Sequence, residues 1–186
     1  MTIRYSTVGI VGTGAMGRGI AQIAAQAGST VQLFDLNPEA CRQAHAAITA
    51  QWDKLQDKGR IDAATADAYK TRLQTAASLG DLHNCDLVVE AAVERLDIKQ
   101  SLFAQLEDIV RPDAVLVTNT SSLSVTAIAA GLKRPAQFAG YHFFNPVPLM
   151  KVVEVIAGLK TDAAVCAGLT EYARQMGHTP VQAQDT

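Results

Sequence analysis

The stretch VGIVGTGAMGRGIAQIAAQAGSTVQLFD, residues 8–35, decides the architecture. Val8 to Val11 form a short run rich in β-branched side chains, and Met16, Ile20, Ile23, Ala24 and Ala27 then recur at helical spacing. Gly28-Ser29 ends that helix, and Thr30 to Asp35 reads as a second strand. Two strands joined by a helix in so short a span make a βαβ crossover, the unit from which open parallel sheets are built.

Between the first strand and the helix lies Gly12-Thr13-Gly14-Ala15-Met16-Gly17, the spacing GxGxxG. The first glycine permits a tight turn, the second lets a pyrophosphate approach the backbone, and the third allows close packing of helix on strand. Ala15 and Met16 open a helix whose free N–H groups and positive dipole end suit phosphates. Asp35 ends the second strand eighteen residues after Gly17. A carboxylate there can accept hydrogen bonds from both ribose hydroxyls of an adenosine. It also repels a 2′-phosphate, and Leu36-Asn37-Pro38 supplies no arginine to receive one, so NAD is expected rather than NADP. FAD shares the fingerprint, and the glycines alone leave the chemistry open. The Tyr-x-x-x-Lys pair of short-chain dehydrogenases is missing, since Tyr141 is followed four residues later by Asn145.

Outward from this unit, residues 38–58 and 62–75 read as two helices in a hairpin inserted between strands. Asp86–Glu90 is the next strand, followed by a helix through Ile98, Leu102, Leu106 and Ile109 and by the apolar strand Ala114–Thr118. A short helix near 124–130, a strand near 136–142, a Pro-broken loop and the strand Lys151–Ile156 come next. The loop is too short for a crossover helix, so those two strands are expected to be antiparallel. A helix near 162–176 and a strand near 178–183 complete the pattern. The fold class predicted is α/β, a Rossmann-type doubly wound sheet, mostly parallel, with antiparallel strands near its C-terminal end.

Composition agrees with one globular domain over residues 1–186: 48% of the side chains are hydrophobic, 18% charged and 5% aromatic. A formal net charge of −2 gives no field that favours nucleic acid or an anionic membrane, and neither is expected as a partner. Cys41, Cys85 and Cys166 stand singly, which argues against disulfides and metal knuckles. No metal is expected. With no signal-peptide pattern after Met1 and no apolar run of membrane length, the cytoplasm is the expected compartment.

Ligands of open α/β sheets sit beyond the carboxyl ends of the strands. Three polar clusters fall there: Glu90 to Glu94, Asn119-Thr120-Ser121-Ser122, and His142 with Asn145. Glu154 is the single carboxylate in the apolar strand Val152–Ile156, and a buried unpaired charge is costly. His142, across the turn, is its natural partner. A carboxylate on one imidazole nitrogen fixes the tautomer and leaves the other nitrogen free to exchange a proton with a substrate. A structural ion pair is the competing reading.

The chain resembles the NAD-dependent 3-hydroxyacyl-CoA dehydrogenase family over nearly its whole length. The resemblance rests on GIVGTGAMGRGIAQIAAQAG, DLVVEAAVERLDIKQSLFAQL, TNTSSLSVTAIA and AGYHFFNPVPLMKVVEVI. It implies that His142 is the base that removes the 3-hydroxyl proton as hydride passes to the nicotinamide, with Glu154 orienting it. It implies that Ser121 contacts the substrate's 3-oxygen, although Ser122 remains a rival. Glu94, Lys99 and Asn145 match positions that line the nicotinamide end of the cofactor. Lys54, Lys58 and Arg60, on or beside the helix hairpin, could meet the phosphates of an acyl-CoA, or they could form a solvated face.

Family members continue beyond the position of Thr186 into a helical domain that supplies dimer contacts and further substrate contacts. This chain is therefore expected to be the amino-terminal, NAD-binding part of a β-oxidation-type enzyme of fatty-acid metabolism, homodimeric through the missing domain. Two other readings remain open at this point. One is a non-catalytic NAD-binding module, and the other a related hydroxyacid or sugar-acid dehydrogenase that does not use CoA. Acyl-chain preference is not legible in the sequence.

Overall fold

In a computed structural model, residues 2–185 are described. The chain runs β1 (Thr7–Val11), α1 (Ala15–Ala27), β2 (Thr30–Phe34), α2 (Pro38–Asp57), α3 (Ala63–Arg72), β3 (Leu73–Thr75), β4 (Leu87–Glu90), α4 (Leu96–Ile109), β5 (Val115–Thr118), α5 (Val125–Ala129), β6 (Phe138–Phe143), β7 (Val152–Ala157), α6 (Ala163–Gln175) and β8 (Thr179–Gln184). The strands form one sheet in the order β3-β2-β1-β4-β5-β6-β7-β8. Every neighbouring pair is parallel except β6 and β7, which are antiparallel. The expected doubly wound sheet with one reversal near its end is the one observed.

The hairpin of α2 and α3 is present, but residues 73–75 are not its last turn. Leu73, Gln74 and Thr75 pair with Val31, Gln32 and Leu33 as an edge strand, so the two helices are the crossover from β2 to β3 and not an insertion. Leu73 is buried in the core, and the outer side of β2 needs backbone partners that a helix cannot supply. The helix therefore stops at Arg72.

Near-continuous apolar strands follow from cover on both faces. Val8, Ile10, Val31, Leu33, Val89 and Val117 point toward α1, α2 and α6, where Trp52 and Tyr172 are fully covered. Val11, Val88, Leu116 and Phe138 point the other way, toward Phe103 and Leu106 of α4. Each such large side chain is worth roughly 1.5–3 kcal/mol relative to exposure.

The glycine loop sits where β1 lies between β2 and β4. Gly12 adopts φ 100°, and a Cβ on it would lie 2.6 Å from the Ala91 carbonyl oxygen. A Cβ on Gly17 would lie 1.8 Å from the Gly12 carbonyl oxygen, whereas one on Gly14 would meet nothing within 4 Å. Gly17 is thus required by packing, and Gly14 faces open space. Gly17→Ala is expected to lower unfolding free energy by roughly 1–3 kcal/mol through overpacking, while Gly14→Ala changes it by under about 1 kcal/mol. Urea denaturation midpoints of the two variants check this, and equal losses would mean that the loop is not packed as described.

Candidate active site

Beside the glycine loop a cleft of about 920 Å³ runs along Gly12, Gly14, Asp35, Leu36, Ala92 and Ile98. Asp35, just past the end of β2, is already oriented: the Thr13 N–H and hydroxyl donate to one oxygen at 3.0 and 2.8 Å, and the Asn37 N–H donates to the other at 2.9 Å. Burial opposes its ionisation, but the bonds from Asn37 and Thr13 outweigh burial and hold its carboxyl below the usual range. No Lys or Arg is among the residues that line this cleft. Arg42, the nearest basic residue along the chain, is paired with Glu39.

A second cleft, about 340 Å³, shares Ala91 and Ala92 with the first, so the two form one groove across the strand ends. It brings together Met16, Glu94, Ser121, His142, Phe144 and Asn145, which lie far apart in the chain. The antiparallel register sets His142 directly opposite Glu154, and His142 Nδ1 lies 2.8 Å from Glu154 Oε1. With Nδ1 so engaged, Nε2 is the nitrogen left for a substrate. Phe144 packs against the imidazole at 4.6 Å between ring centroids. Glu154 is not buried as a charge in an apolar strand would suggest. Its side chain is 35% exposed, because Glu154 lies on the face of β7 opposite the buried Val153 and Val155.

Ser121 and Ser122 occupy different environments. The Ser122 hydroxyl donates to Glu94 Oε2 at 2.9 Å, whereas Ser121 lines the cleft with His142. Glu94 Oε2 also accepts from Thr120 Oγ1 at 2.5 Å. Burial raises the Glu94 pKa, but these hydroxyls and Lys99 more than reverse it and keep the group below the ordinary carboxylate range.

Lys99 stands behind the cleft wall and not in it. Its side chain is 1% exposed, and its ammonium donates to Glu90 Oε2 at 2.5 Å, with Glu94 Oε1 at 3.2 Å. Glu90, wholly buried at the end of β4, also accepts from Thr118 Oγ1 and the Ala92 N–H, each at 2.7 Å. Asn119 accepts the Phe143 N–H at 2.8 Å and so ties the end of β5 to β6. Sequence reasoning placed Glu90, Asn119 and Thr120 in the strand-end clusters without a role for any of them, and it missed Thr118. The signal for Glu90 was present, since a carboxylate in an apolar strand demands a partner and Lys99 follows one helical entry later.

Lys54 and Lys58, at the C-terminal end of α2, are exposed and enter neither cleft. They extend the helix face of Ala47, Ile48 and Gln51, which lines a further groove of about 400 Å³ against Asn145–Leu149. Among the described residues no group of three or more His, Cys, Asp or Glu could hold a metal, and the cysteines are free. Burial pushes the Cys85 thiol up to about 12, far from a nucleophile.

Comparison with known proteins bears on this groove. Residues 7–186 match the family described as 3-hydroxyacyl-CoA dehydrogenase, NAD binding domain. The chain is 44% identical over 186 residues to a 3-hydroxyadipyl-CoA dehydrogenase of Escherichia coli, and covers 39% of that protein. It is 44% identical over 180 residues to a probable 3-hydroxybutyryl-CoA dehydrogenase of Deinococcus radiodurans, covering 63%. The solved structure of a (S)-3-hydroxybutyryl-CoA dehydrogenase from Ralstonia eutropha superposes with a TM-score of 0.94 at 37% identity, over 98% of this chain and 64% of that one.

The buried ion pair makes a direct prediction. Lys99→Met leaves the Glu90 carboxylate without its cation and is expected to cost roughly 3–5 kcal/mol, whereas Lys99→Met with Glu90→Leu recovers part of that loss. Chemical denaturation of the single and double variants tests it, and a double variant no better than the single would mean that the pair does not couple.

Proposed function

The chain belongs to the 3-hydroxyacyl-CoA dehydrogenase family as its NAD-binding domain, and from that premise we propose that the protein carrying it oxidises (3S)-3-hydroxyacyl-CoA to 3-ketoacyl-CoA. The observation that carries the proposal is the 2.8 Å bond between His142 and Glu154 at the wall of a groove continuous with the dinucleotide cleft. A base fixed beside the nicotinamide end is what removal of a hydroxyl proton requires.

The residues present fit the cofactor. Gly14 leaves backbone open to the cleft, Ala15, Met16 and Gly17 begin α1 with N–H groups free of helical carbonyls, and Asp35 faces the same space. NAD held there would supply the acceptor for the hydride lost from C3. His142 Nε2 takes the 3-hydroxyl proton, and Glu154 stabilises the imidazolium that results. Ser121 donates a hydrogen bond to the same oxygen, which holds it against the base. Glu94 and Asn145 bound the nicotinamide end, and Lys99 acts on it through Glu94. We assign Lys54 and Lys58, exposed near the end of α2, to the phosphates of CoA, a reading supported by the groove beside the same helix.

The relatives named for hydroxyadipyl and hydroxybutyryl thioesters support an acyl-CoA substrate. The chain spans 39% and 63% of those two proteins, and we place the remaining substrate contacts, with dimer contacts, in a helical domain outside these residues. Three free cysteines support a reducing compartment, which we take to be the cytoplasm. No helix of the described residues is long and apolar enough to cross a membrane.

The full-length protein should reduce NAD with (3S)-3-hydroxybutyryl-CoA and not with free 3-hydroxybutyrate; equal turnover of the two would remove CoA from the proposal. His142→Ala should lower kcat by roughly 10²–10⁴-fold with NAD affinity nearly unchanged, and Glu154→Gln should lower it too. Near-normal turnover in either variant would assign the base elsewhere. In calorimetric titrations the unmodified protein should bind NAD more tightly than NADP, and Asp35→Ala should narrow the gap.

A further inference from the structure

His178 is the one histidine that the proposed reaction does not use and that the fold nevertheless encloses, with 4% exposure. It stands between α6 and β8 on a fixed base: its own N–H donates to the Ala173 carbonyl at 2.9 Å, and the next N–H, of Thr179, donates to Lys151 at 2.8 Å. From there the ring reaches the loop between β6 and β7. Nε2 lies 3.1 Å from the Val147 carbonyl oxygen, and the ring meets the edge of Phe143 at 5.7 Å between centroids. A carbonyl can only accept, so Nε2 carries the proton. Nδ1 is then a bare acceptor, buried and without a hydrogen-bond partner.

Val147 is pressed from the other side by α1, because a Cβ on Gly19 would lie 2.6 Å from the Val147 Cβ. The loop is therefore held between α1 and His178, and it carries Phe144, against the His142 ring, and Asn145, in the catalytic cleft. We propose that His178 is a positioning residue of this loop, whose Nε2 bond to the Val147 carbonyl sets Phe144 and Asn145 relative to His142. This deepens the dehydrogenase reading and rests on it for the effect on turnover. An apolar side chain would fill the same space without a buried polar nitrogen, so the feature that needs explaining is the donor aimed at the Val147 carbonyl. Burial, the largest influence, lowers the His178 pKa; contacts with the Val147 and Met176 backbone act against it, and Lys151 adds to the lowering. The lowering favours the neutral ring, in which Nε2–H remains the donor to Val147.

The first test uses the unmodified protein: long-range proton–nitrogen correlation of the imidazoles should show His178 as the Nε2–H tautomer. An Nδ1–H tautomer, or a ring in free exchange with water, overturns the proposal. The second test compares His178→Leu, which keeps bulk without the donor, with His178→Gln, which can return an N–H near the Nε2 position. In the full-length protein His178→Leu should lower kcat on 3-hydroxybutyryl-CoA by on the order of 10-fold or more, since displacements near 1 Å are enough. The KM for NAD should rise by less than kcat falls, because the glycine loop and Asp35 are untouched and only the Asn145 contact moves. His178→Gln should restore most of the kcat. The His142 imidazole resonances should move in the Leu variant, as Phe144 shifts against them, and return in the Gln variant. Unmoved resonances in a folded Leu variant, or Gln failing as badly as Leu, overturn the proposal. If Leu does not fold, the tautomer and the Gln variant decide it. An unmodified protein with no acyl-CoA turnover would instead defeat the dehydrogenase reading and leave the tautomer and the His142 resonances to judge the loop.

Discussion

Cover on both faces of the sheet is the constraint from which the rest follows. Strands β1, β4 and β5 are buried almost throughout, so a polar side chain within them must have its partners built into the fold. The places left for chemistry are the strand ends, where backbone leaves the ladder and side chains meet solvent. Most groups of the proposed site stand there: the glycine loop after β1, Asp35 after β2, Glu90 at the end of β4, the Asn119–Ser122 loop after β5, and His142 near the end of β6, which Glu154 meets from within β7. The same geometry explains why one groove serves both halves of the site. Its shared wall, Ala91 and Ala92, follows directly on Glu90.

Glu90 and Lys99 turn that constraint into rigidity. A buried ion pair adds little stability over a hydrophobic substitute, but each partner is costly to leave alone, so the surrounding groups are forced into fixed positions. Glu90 holds the Ala92 backbone and the Thr118 hydroxyl, and Lys99 passes the charge on to Glu94. Glu94 in turn gathers Thr120 and Ser122. Ser121 lies between these two residues and lines the cleft. Positioning of this kind is built into the chain before any ligand arrives, which is the condition for useful electrostatics at a reacting centre.

The His142–Glu154 pair differs in kind. Glu154 is reached by water, and beside it on that face of the sheet Val152 and Val181 are 38% and 45% exposed. A pair wetted in this way is screened, and the attraction that arises when the imidazole takes a proton is several-fold weaker than it would be in a dry site. The geometry that fixes the imidazole tautomer survives wetting, because it comes from the strand register and not from the dielectric. Orientation of the base is thus a property of the sheet, while the electrostatic strength of the pair depends on what covers this face.

These differences also explain what the sequence revealed. Register in a hairpin follows from a period of two and a loop of fixed length, so the antiparallel return of β7 and the meeting of His142 with Glu154 could be read directly. The glycine loop was legible because Gly12 and Gly17 are sterically obligatory. Strand β3 was not, since three residues continuous with a helix carry no periodic signal and pair only because the edge of β2 is nearby. The exposure of Glu154 was misread because an apolar strand at the margin of a sheet looks like one in its centre. The Glu94–Thr120–Ser122 cluster joins loops 26 and 28 residues apart, with no repeat to connect them. Such a network is specified only after the strands have been placed side by side, and the order of strands in space, not any local pattern, is what brings its members within reach.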